Sequence, residues 1–348
     1  MVEVAFAVPG ELGSLTGGYA YARKLLRLLK AHGLRTRHIA LPPSFPFPSS
    51  TDLERTKRSL SHTPKDAVLL IDGLSYGALP AELFETLGRP IVALVHHPLG
   101  METGLSPEQR SLFLKSEAAA LAVASRVIVT SSLTACLLET DYCVLSEKIT
   151  VAEPGVEPAA RAQGTGAPVQ LLAVGAVSPR KGYETLVEAL SGLKGFGWRL
   201  TIAGDLGRDP DAVKRLKHRI EAAGLSNRIG LAGAIPDSTL DQLYHRADVL
   251  VSASLFEGYG MVLAEAMAHG LPLVASTGGA AAETVPQRAG LKVPPGDVGA
   301  LREAICRLIA QPQLRRDVAE GSWAAGQRLP RWGTTAATVA RVLTEAGS

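Results

Sequence analysis

Short, almost fully apolar segments recur along the chain, and each is followed by a loop and a segment of helical length. Val2–Val8, Ala67–Ile71 and Ile91–Val95 are examples from the first half, and Gln170–Val174 and Val249–Ser252 are examples from the second. Strands that are apolar throughout are buried on both faces, which is typical of parallel sheets covered by helices. The alternation therefore predicts an α/β protein built from repeated βα units.

The length of 348 residues suggests two domains of ordinary size. Residues 158–168 are rich in proline, alanine and glycine and form the clearest linker in the chain. We therefore predict one domain over 1–157 and a second over 169–329. A break at Pro330 precedes a predicted last helix within 330–348. With 46% hydrophobic residues, each half can bury a core of its own.

Composition argues against several classes of protein. The formal net charge of +3 is spread evenly over both halves, so no nucleic-acid-binding surface is expected. Cys136, Cys143 and Cys306 have no metal-ligand spacing and cannot all pair, which favours a reducing environment. The chain begins in a predicted strand without a signal-peptide pattern, and no apolar run reaches the length of a membrane span. We expect a cytoplasmic protein.

The densest group of candidate functional residues lies in 257–272. Glu257 precedes an apolar run that fits one buried helix, and Glu265 lies inside that run. If the helix starts near Gly258, roughly 11–12 Å separate the two carboxylates. This distance exceeds the separation of about 5–5.5 Å in a retaining glycosidase and suits the two hydroxyl-bearing ends of one extended ligand. The helix N-terminus between them favours an anion such as a phosphate.

Two loops that follow predicted strands suit the approach of a phosphate. Gly17 and Gly18 precede a helix predicted over Tyr19–Ala31, although their spacing does not match a dinucleotide fingerprint. In the second half, Arg180 and Lys181 follow a glycine turn and precede another helix. The alternatives are a plain turn for the glycines and a solvated loop for the two cations.

A pair of histidines follows the predicted strand Ile91–Val95. An open α/β sheet places its ligands just beyond the carboxyl ends of its strands, which makes His96 a candidate site residue. A packed or solvent-exposed loop histidine is the alternative. His97 and Glu102 are weaker candidates in the same loop.

Taken in order, these motifs resemble the retaining glycosyltransferases of family four, which have the GT-B fold. The block Glu257-Gly258-Tyr259-Gly260 with Glu265 is similar to their Glu-x7-Glu signature, and the segments Val174-Gly175 to Lys181-Gly182 and Gly278-Gly279 match in the same order. The resemblance is strongest from Leu171 to Val285. It implies two Rossmann-like domains that face a central cleft, with the last helix crossing back onto the first domain.

The resemblance also implies roles for individual residues. It assigns catalysis to His96, Lys181 and Glu257. It assigns the donor site to a larger set: Gly17, Gly18, Arg180, Lys181, Glu257, Gly258, Tyr259, Gly260, Met261 and Glu265. Glu265 is expected to bind the ribose hydroxyls, and Ile235 lies in the loop that contacts the base in the family. An arginine common in the family is replaced by Ala176, and Arg180 is expected to compensate for it.

The function implied is transfer of a sugar from a nucleotide-diphosphate donor to an acceptor with retention of configuration, in the synthesis of cell-envelope polysaccharide, glycolipid or small glycosides. No metal or other cofactor is expected. The acceptor is expected to be a small molecule, a glycan or a lipid-linked compound. A basic face on the first helix suggests a peripheral contact with the inner face of the membrane, with a solvated face as the alternative; its residues are Arg23, Lys24, Arg27 and Lys30.

Three other functions are alternatives to glycosyl transfer. A GT-B isomerase or hydrolase of nucleotide sugars would share the fold but gives no reason for the Glu257 and Glu265 pair. A non-catalytic protein that binds sugars or sugar nucleotides would usually carry a secretion signal. A dehydrogenase would need a regular glycine fingerprint and an acidic residue about 20 positions later. The identities of the donor base, the sugar and the acceptor stay open.

Overall fold

The computed structural model describes residues 2–348. The chain forms two compact units, one of Met1–Gly155 with Pro330–Ser348 and one of Val156–Leu329. Each has its own six-stranded sheet. The strands of the first sheet are β1 Glu3–Pro9, β2 Arg35–Leu41, β3 Val68–Asp72, β4 Ile91–Val95, β5 Arg126–Val129 and β6 Ile149–Val151. Those of the second are β7 Val169–Val174, β8 Trp198–Ala203, β9 Ile229–Gly233, β10 Val249–Ser252, β11 Leu273–Ser276 and β12 Gly290–Val293.

Helices follow most of the strands, as the βα pattern predicts. The α-helices are α1 Gly17–Leu28, α2 Ser50–Ser61, α3 Gly73–Tyr76, α4 Ala81–Leu87, α5 Pro107–Ala122, α6 Ser132–Asp141, α7 Tyr183–Ser191, α8 Pro210–Ala222, α9 Asp237–Arg246, α10 Met261–Ala268, α11 Ala281–Thr284, α12 Val298–Ala310, α13 Pro312–Gly326 and α14 Trp332–Ala346. Within residues 2–348, none of these helices is long and apolar enough to cross a membrane.

The first sheet is entirely parallel, in the order β2-β1-β3-β4-β5-β6. The predicted α/β class is confirmed, and the strand predicted over 91–95 agrees with β4 at both ends. The strand order reverses between β1 and β3. Ligands of open α/β sheets bind at such a reversal, outside the carboxyl ends of the strands. The loops after β1, β3 and β4 therefore hold the candidate residues of this unit.

Helix α14 belongs to the first unit. It begins at Trp332, within the segment 330–348 predicted to hold the last helix, and the Trp332 ring lies 5.5 Å from the ring of Tyr21. The Thr335 hydroxyl donates to the carbonyl of Glu153 at 2.7 Å. A Cβ on Gly155 would lie 2.2 Å from the Trp332 nitrogen, so a glycine is needed there for the helix to pack.

The second sheet is also parallel, in the order β12-β11-β10-β7-β8-β9. Here the strand order reverses between β7 and β10, which pair through Leu171 and Val249. Helices cover both faces, and the largest fully buried side chain is that of Trp198 on β8, whose indole donates to the Leu193 carbonyl. The sheet thus brings the loops after β7 and β10 side by side.

The segment predicted as a linker, 158–168, is held against the second unit. The amide of Ala162 donates to the His269 carbonyl at 2.8 Å, and the amide of Gln163 donates to the His245 carbonyl at 3.0 Å. The Asp248 carboxylate accepts hydrogen bonds from the amides of Thr165 and Gly166 in this stretch. The division between the two units falls before this segment, between Gly155 and Val156.

The packing of α14 generates a prediction about stability. Leu343 is fully buried within the first unit, so Leu343→Ala should lower the free energy of unfolding by about 2–5 kcal/mol through lost burial and the cavity it leaves. Denaturant unfolding followed by circular dichroism measures the loss. Arg341→Ala on the exposed face of the same helix is the matched control and should change stability by about 0.5 kcal/mol or less. Equal effects would show that α14 does not contribute to the core.

Candidate functional site

The loops after β7 and β10 contact each other at the reversal of the second sheet. The amide of Leu255 donates to the Arg180 carbonyl at 2.7 Å, and the Arg180 guanidinium donates to the Phe256 carbonyl at 2.9 Å. These bonds join two segments that lie 75 or more residues apart in sequence. They bring the predicted cations and the first carboxylate of the predicted acidic pair into one cluster.

Glu257 lies at the centre of this cluster. The Lys181 ammonium donates to one carboxylate oxygen at 2.6 Å, and the Arg180 guanidinium lies 3.5 Å from the other. All three side chains are largely buried, with 8% of the Glu257, 12% of the Lys181 and 23% of the Arg180 side chain exposed. Buried charges are tolerated when they are paired, and here two cations share one carboxylate.

The pairing changes the acidity of Glu257. Burial alone would raise the pKa of this carboxyl, but the charges of Lys181 and Arg180 and hydrogen bonds from Lys181 and Ser254 outweigh burial and lower the pKa to about 2. Glu257 is therefore ionised at neutral pH. A carboxylate this weakly basic accepts hydrogen bonds but is a poor proton acceptor.

Two glycines allow this cluster to form. Gly175, immediately after β7, has a φ of 143°, and a Cβ there would lie 2.6 Å from the Cε of Lys181. Gly279 pairs with Glu257 in an isolated parallel bridge, and a Cβ on Gly279 would lie 2.3 Å from the Glu257 carbonyl oxygen. The predicted glycine turns thus hold the backbone close to the charged residues.

The predicted helix after Glu257 is α10, which starts at Met261 with Gly260 as its N-cap in a left-handed conformation. The helix was predicted to start near Gly258, and the observed start lies three residues later. Tyr259 is buried, and its carbonyl accepts a hydrogen bond from Thr284. The first turn of α10 therefore follows Glu257 directly and presents backbone N–H groups that have no partners within the helix.

Glu265 lies on α10 and pairs with a residue that the sequence did not predict for the site. The Tyr244 hydroxyl, from α9, donates to the Glu265 carboxylate at 2.8 Å. Burial is the main cause that raises the pKa of Tyr244 well above its usual value, and the charge of Glu265 and their hydrogen bond act in the same direction. Tyr244 is therefore a permanent hydrogen-bond donor. The predicted base loop, with Ile235 half-buried, lies between β9 and α9.

In the first unit, His96 follows β4 and lies beside Asp72, the last residue of β3. Its Nε2 lies 3.5 Å from the Asp72 carboxylate, and its ring makes an edge contact with Tyr21 at 5.3 Å. A Cβ on Gly18 would lie 3.4 Å from this imidazole, so the predicted glycine and histidine are neighbours. Asp72 was not predicted, although it is a polar residue that directly follows an apolar strand at the ligand-binding edge.

The two weaker candidates pair with each other. The His97 Nε2 lies 3.1 Å from the Glu102 carboxylate in the loop after β4. The same loop is anchored by Glu117 of α5, which accepts a hydrogen bond from the Leu99 amide at 2.8 Å. Burial raises the pKa of Glu117 to about 8 against that hydrogen bond and those from Tyr142 and Gly100. Glu117 was not predicted because its position within a helix gives no signal.

The glycine loop of the first unit is held by the helix that follows it. Gly17 is the first residue of α1. Arg23 on α1 donates to the carbonyls of Leu12 and Ser14, and the Lys24 ammonium lies 6.0 Å from the centre of the Trp332 ring. Two of the four basic residues proposed to face a membrane are thus engaged within the first unit.

The Lys181–Glu257 pair generates a prediction about pH and stability. Lys181→Met leaves Glu257 buried with one cation fewer and should lower the free energy of unfolding at pH 7 by about 3–5 kcal/mol. The pKa of Glu257 is about 2 in the folded protein and 4.5 ordinarily, so the pairing stabilises above about pH 4.5 and is lost as the pH falls toward 2. The difference between wild type and variant should shrink over that range.

Denaturant unfolding at a series of pH values measures this difference. Lys217→Met, which removes an exposed lysine of α8, is the control and should have little effect at any pH. A Lys181→Met variant as stable as the control at pH 7 would contradict the pairing.

Among the described residues, no group of three or more His, Cys, Asp or Glu side chains is arranged to hold a metal ion.

Comparisons with known proteins show what the second unit is similar to. Residues 161–322 match the family model described as glycosyl transferases group 1. A glycogen synthase of Mycobacterium tuberculosis is 34% identical over 208 residues, which cover 56% of this chain and 48% of that protein. The chain spans about half the length of the curated relatives it matches.

Solved structures show the same fold over the whole chain. A sucrose-phosphate synthase from Thermosynechococcus elongatus superposes with a TM-score of 0.84 at 22% identity and covers 99% of both chains. The Anabaena protein HepE, solved in complex with UDP and glucose, has a TM-score of 0.79 at 21% identity and covers 99% of this chain and 100% of its own. The chain therefore has the GT-B fold of these structures, and its match to the model of glycosyl transferases group 1 lies in its second unit.

Proposed function

We propose that this protein is a retaining glycosyltransferase that moves a sugar from a nucleotide-diphosphate donor to an acceptor hydroxyl. The observation that carries the proposal is the cluster of Lys181, Arg180 and Glu257 at the reversal of the second sheet, where open α/β sheets bind their ligands. The complex of HepE with UDP and glucose supports a donor of this chemical class.

The diphosphate is proposed to bind at the two cations and the first turn of α10. Lys181 and Arg180 are both within reach of Glu257, so a diphosphate placed beside them would share their charge with that carboxylate. The N–H groups of the first turn, beginning at Met261, add partial positive charge. Arg180 thereby supplies the charge that is missing at Ala176.

Glu257 is proposed to orient the transferred sugar through hydrogen bonds from its hydroxyl groups. The carboxylate is ionised and weakly basic because of its two cations, which suits an acceptor of hydrogen bonds rather than a general base. Glu265 is proposed to accept hydrogen bonds from the ribose hydroxyls. Glu257 lies four residues before the start of α10, and Glu265 lies inside the helix. The two carboxylates therefore suit opposite ends of one donor.

The chemistry proposed needs charge stabilisation more than a protein nucleophile. The bond between the anomeric carbon and the diphosphate oxygen breaks, and its electron pair stays on the diphosphate. The acceptor oxygen forms the new bond to the anomeric carbon on the same face of the sugar, and its proton passes to an oxygen of the leaving diphosphate. Negative charge grows on the leaving diphosphate, so preorganised cations such as Lys181 and Arg180 stabilise the transition state. We propose that no metal ion takes part.

The first unit is proposed to bind the acceptor, with His96 and its partner Asp72 as the candidate residues of that unit. The acceptor is a small molecule, a glycan or a lipid-linked compound. A peripheral membrane contact is the weaker part of the proposal because Arg23 and Lys24 are engaged within the first unit. The proposed location is the cytoplasm, including the inner face of the membrane.

Turnover of the donor tests the function. A thermal-shift screen of nucleoside diphosphates and their sugars first identifies the donor, since a ligand at a hundredfold excess over its dissociation constant adds about 2.7 kcal/mol of stability. Release of nucleoside diphosphate is then followed in the presence of a metal chelator. Lys181→Ala should lower the rate by roughly a hundredfold, which corresponds to a lost transition-state contact of ~3 kcal/mol, and Arg180→Ala should lower it less.

The double variant distinguishes a shared role from two separate ones. Lys181→Ala combined with Arg180→Ala should lose less than the product of the single losses, because both cations act on one diphosphate. Lys217→Ala is the control and should keep the wild-type rate. If Arg180→Ala leaves both the rate and the donor affinity unchanged, Arg180 has no part in the clamp. If no nucleotide sugar binds or turns over, the proposed function is wrong.

A further inference from the structure

We infer that Tyr244 is a positioning residue that fixes the carboxylate of Glu265 so that the protein selects nucleotides with an intact ribose diol. The inference deepens the proposed function and rests on the proposed role of Glu265 in ribose binding. It concerns selectivity between ribose and deoxyribose, which the charged cluster at Glu257 does not determine.

The contact joins two neighbouring helices. The Tyr244 hydroxyl on α9 donates to Oε2 of Glu265 on α10 at 2.8 Å, and Tyr244 is 2% exposed. A buried phenol has one proton to donate, and here it is directed at the carboxylate. The last torsion of a glutamate side chain is otherwise broad, so this bond restricts how the carboxylate turns.

The ring of Tyr244 is itself held in place. It stacks on the imidazole of His269 with the ring centres 5.0 Å apart and an angle of 17° between the planes. His269 is buried, and its two ring nitrogens lie 3.2 Å from the Ala160 carbonyl and 3.3 Å from the Asp241 carboxylate. The ring of Tyr244, which supports Glu265, is therefore stacked on an imidazole that has a polar neighbour at each of its nitrogens.

The donor cannot be lost by ionisation under working conditions. Burial first, and then the charge of Glu265 and the hydrogen bond to it, raise the pKa of Tyr244 well above its usual value. The phenol stays protonated next to a carboxylate. Tyr244 thus acts as a hydrogen-bond donor to Glu265 at neutral pH.

A fixed carboxylate favours a diol. Two adjacent hydroxyl groups can donate to the two oxygens of one carboxylate, and a carboxylate that is already oriented loses less freedom when they bind. A nucleotide that lacks these hydroxyls leaves the oriented carboxylate without their hydrogen bonds. A site that is built to bind a hydroxyl group discriminates strongly against a ligand that lacks it. Without Tyr244, the carboxylate would have to be ordered by the ligand.

Calorimetry with two probes tests the inference. The probes are a nucleoside diphosphate of the base found in the screen and its 2′,3′-dideoxy analogue. The ratio of the two dissociation constants measures the contribution of the diol. Tyr244→Phe should lower this ratio by about tenfold, or ~1.4 kcal/mol, and leave the affinity for the dideoxy analogue within about twofold of wild type.

Control variants separate positioning from general packing. Tyr76→Phe removes another buried phenol, whose hydroxyl donates to the Ala120 carbonyl in the first unit, and should leave both affinities unchanged. Glu265→Gln should lower the ratio, and adding Tyr244→Phe to it should lower the ratio no further. Should Tyr244→Phe not fold, His269→Leu serves as the second variant, since it removes the stacked ring but keeps the Tyr244 hydroxyl, and the ratio should fall again.

The outcomes separate this inference from the function on which it rests. If wild type does not distinguish the two probes, both the ribose role of Glu265 and the inference are overturned. If wild type distinguishes them and the variants at Tyr244 and His269 keep the wild-type ratio, the inference alone is overturned. A loss of affinity that is equal for both probes would show a structural role and would also overturn it.

Discussion

A buried carboxylate between two cations determines how the second unit is arranged. Glu257 can lie inside the protein only because Lys181 and Arg180 neutralise it, and both come from the loop after β7, whereas Glu257 follows β10. The two strands must therefore be neighbours, and the sheet order makes them so. The same charge balance keeps two cations in place for an anionic ligand, so one interaction serves folding and the proposed binding of a diphosphate.

The first unit uses the same principle of sheet construction with different chemistry. Its strand order reverses between β1 and β3, and the loops beyond these strands and β4 bring Gly18, Asp72 and His96 together. The group contains one carboxylate and one imidazole and, unlike the cluster around Glu257, no lysine or arginine. A site of this kind suits hydroxyl groups rather than phosphates, which agrees with the proposed acceptor role of the unit.

Much of the fold was predictable because strands buried on both faces are apolar throughout, as in β4, whose ends were predicted correctly. The cluster of Lys181, Arg180 and Glu257 was predictable because each residue lies in a local motif. Contacts set by pairing between different elements were not, which is why Tyr244 was missed. Asp72 was missed although it directly follows the predicted strand Ala67–Ile71. The surface helix α2 was also missed, although its capping box of Ser49 and Asp52 is a readable signal.

Hydrogen exchange in the presence of a nucleoside diphosphate tests the central claim most directly, because it locates bound ligand on the backbone without any substitution. The account predicts slower exchange in the loop 175–183 and in 255–265, which includes the first turn of α10, with no change in the exposed helix α8. Protection confined to other parts of the chain, or none at a concentration that saturates the thermal shift, would contradict the proposed donor site.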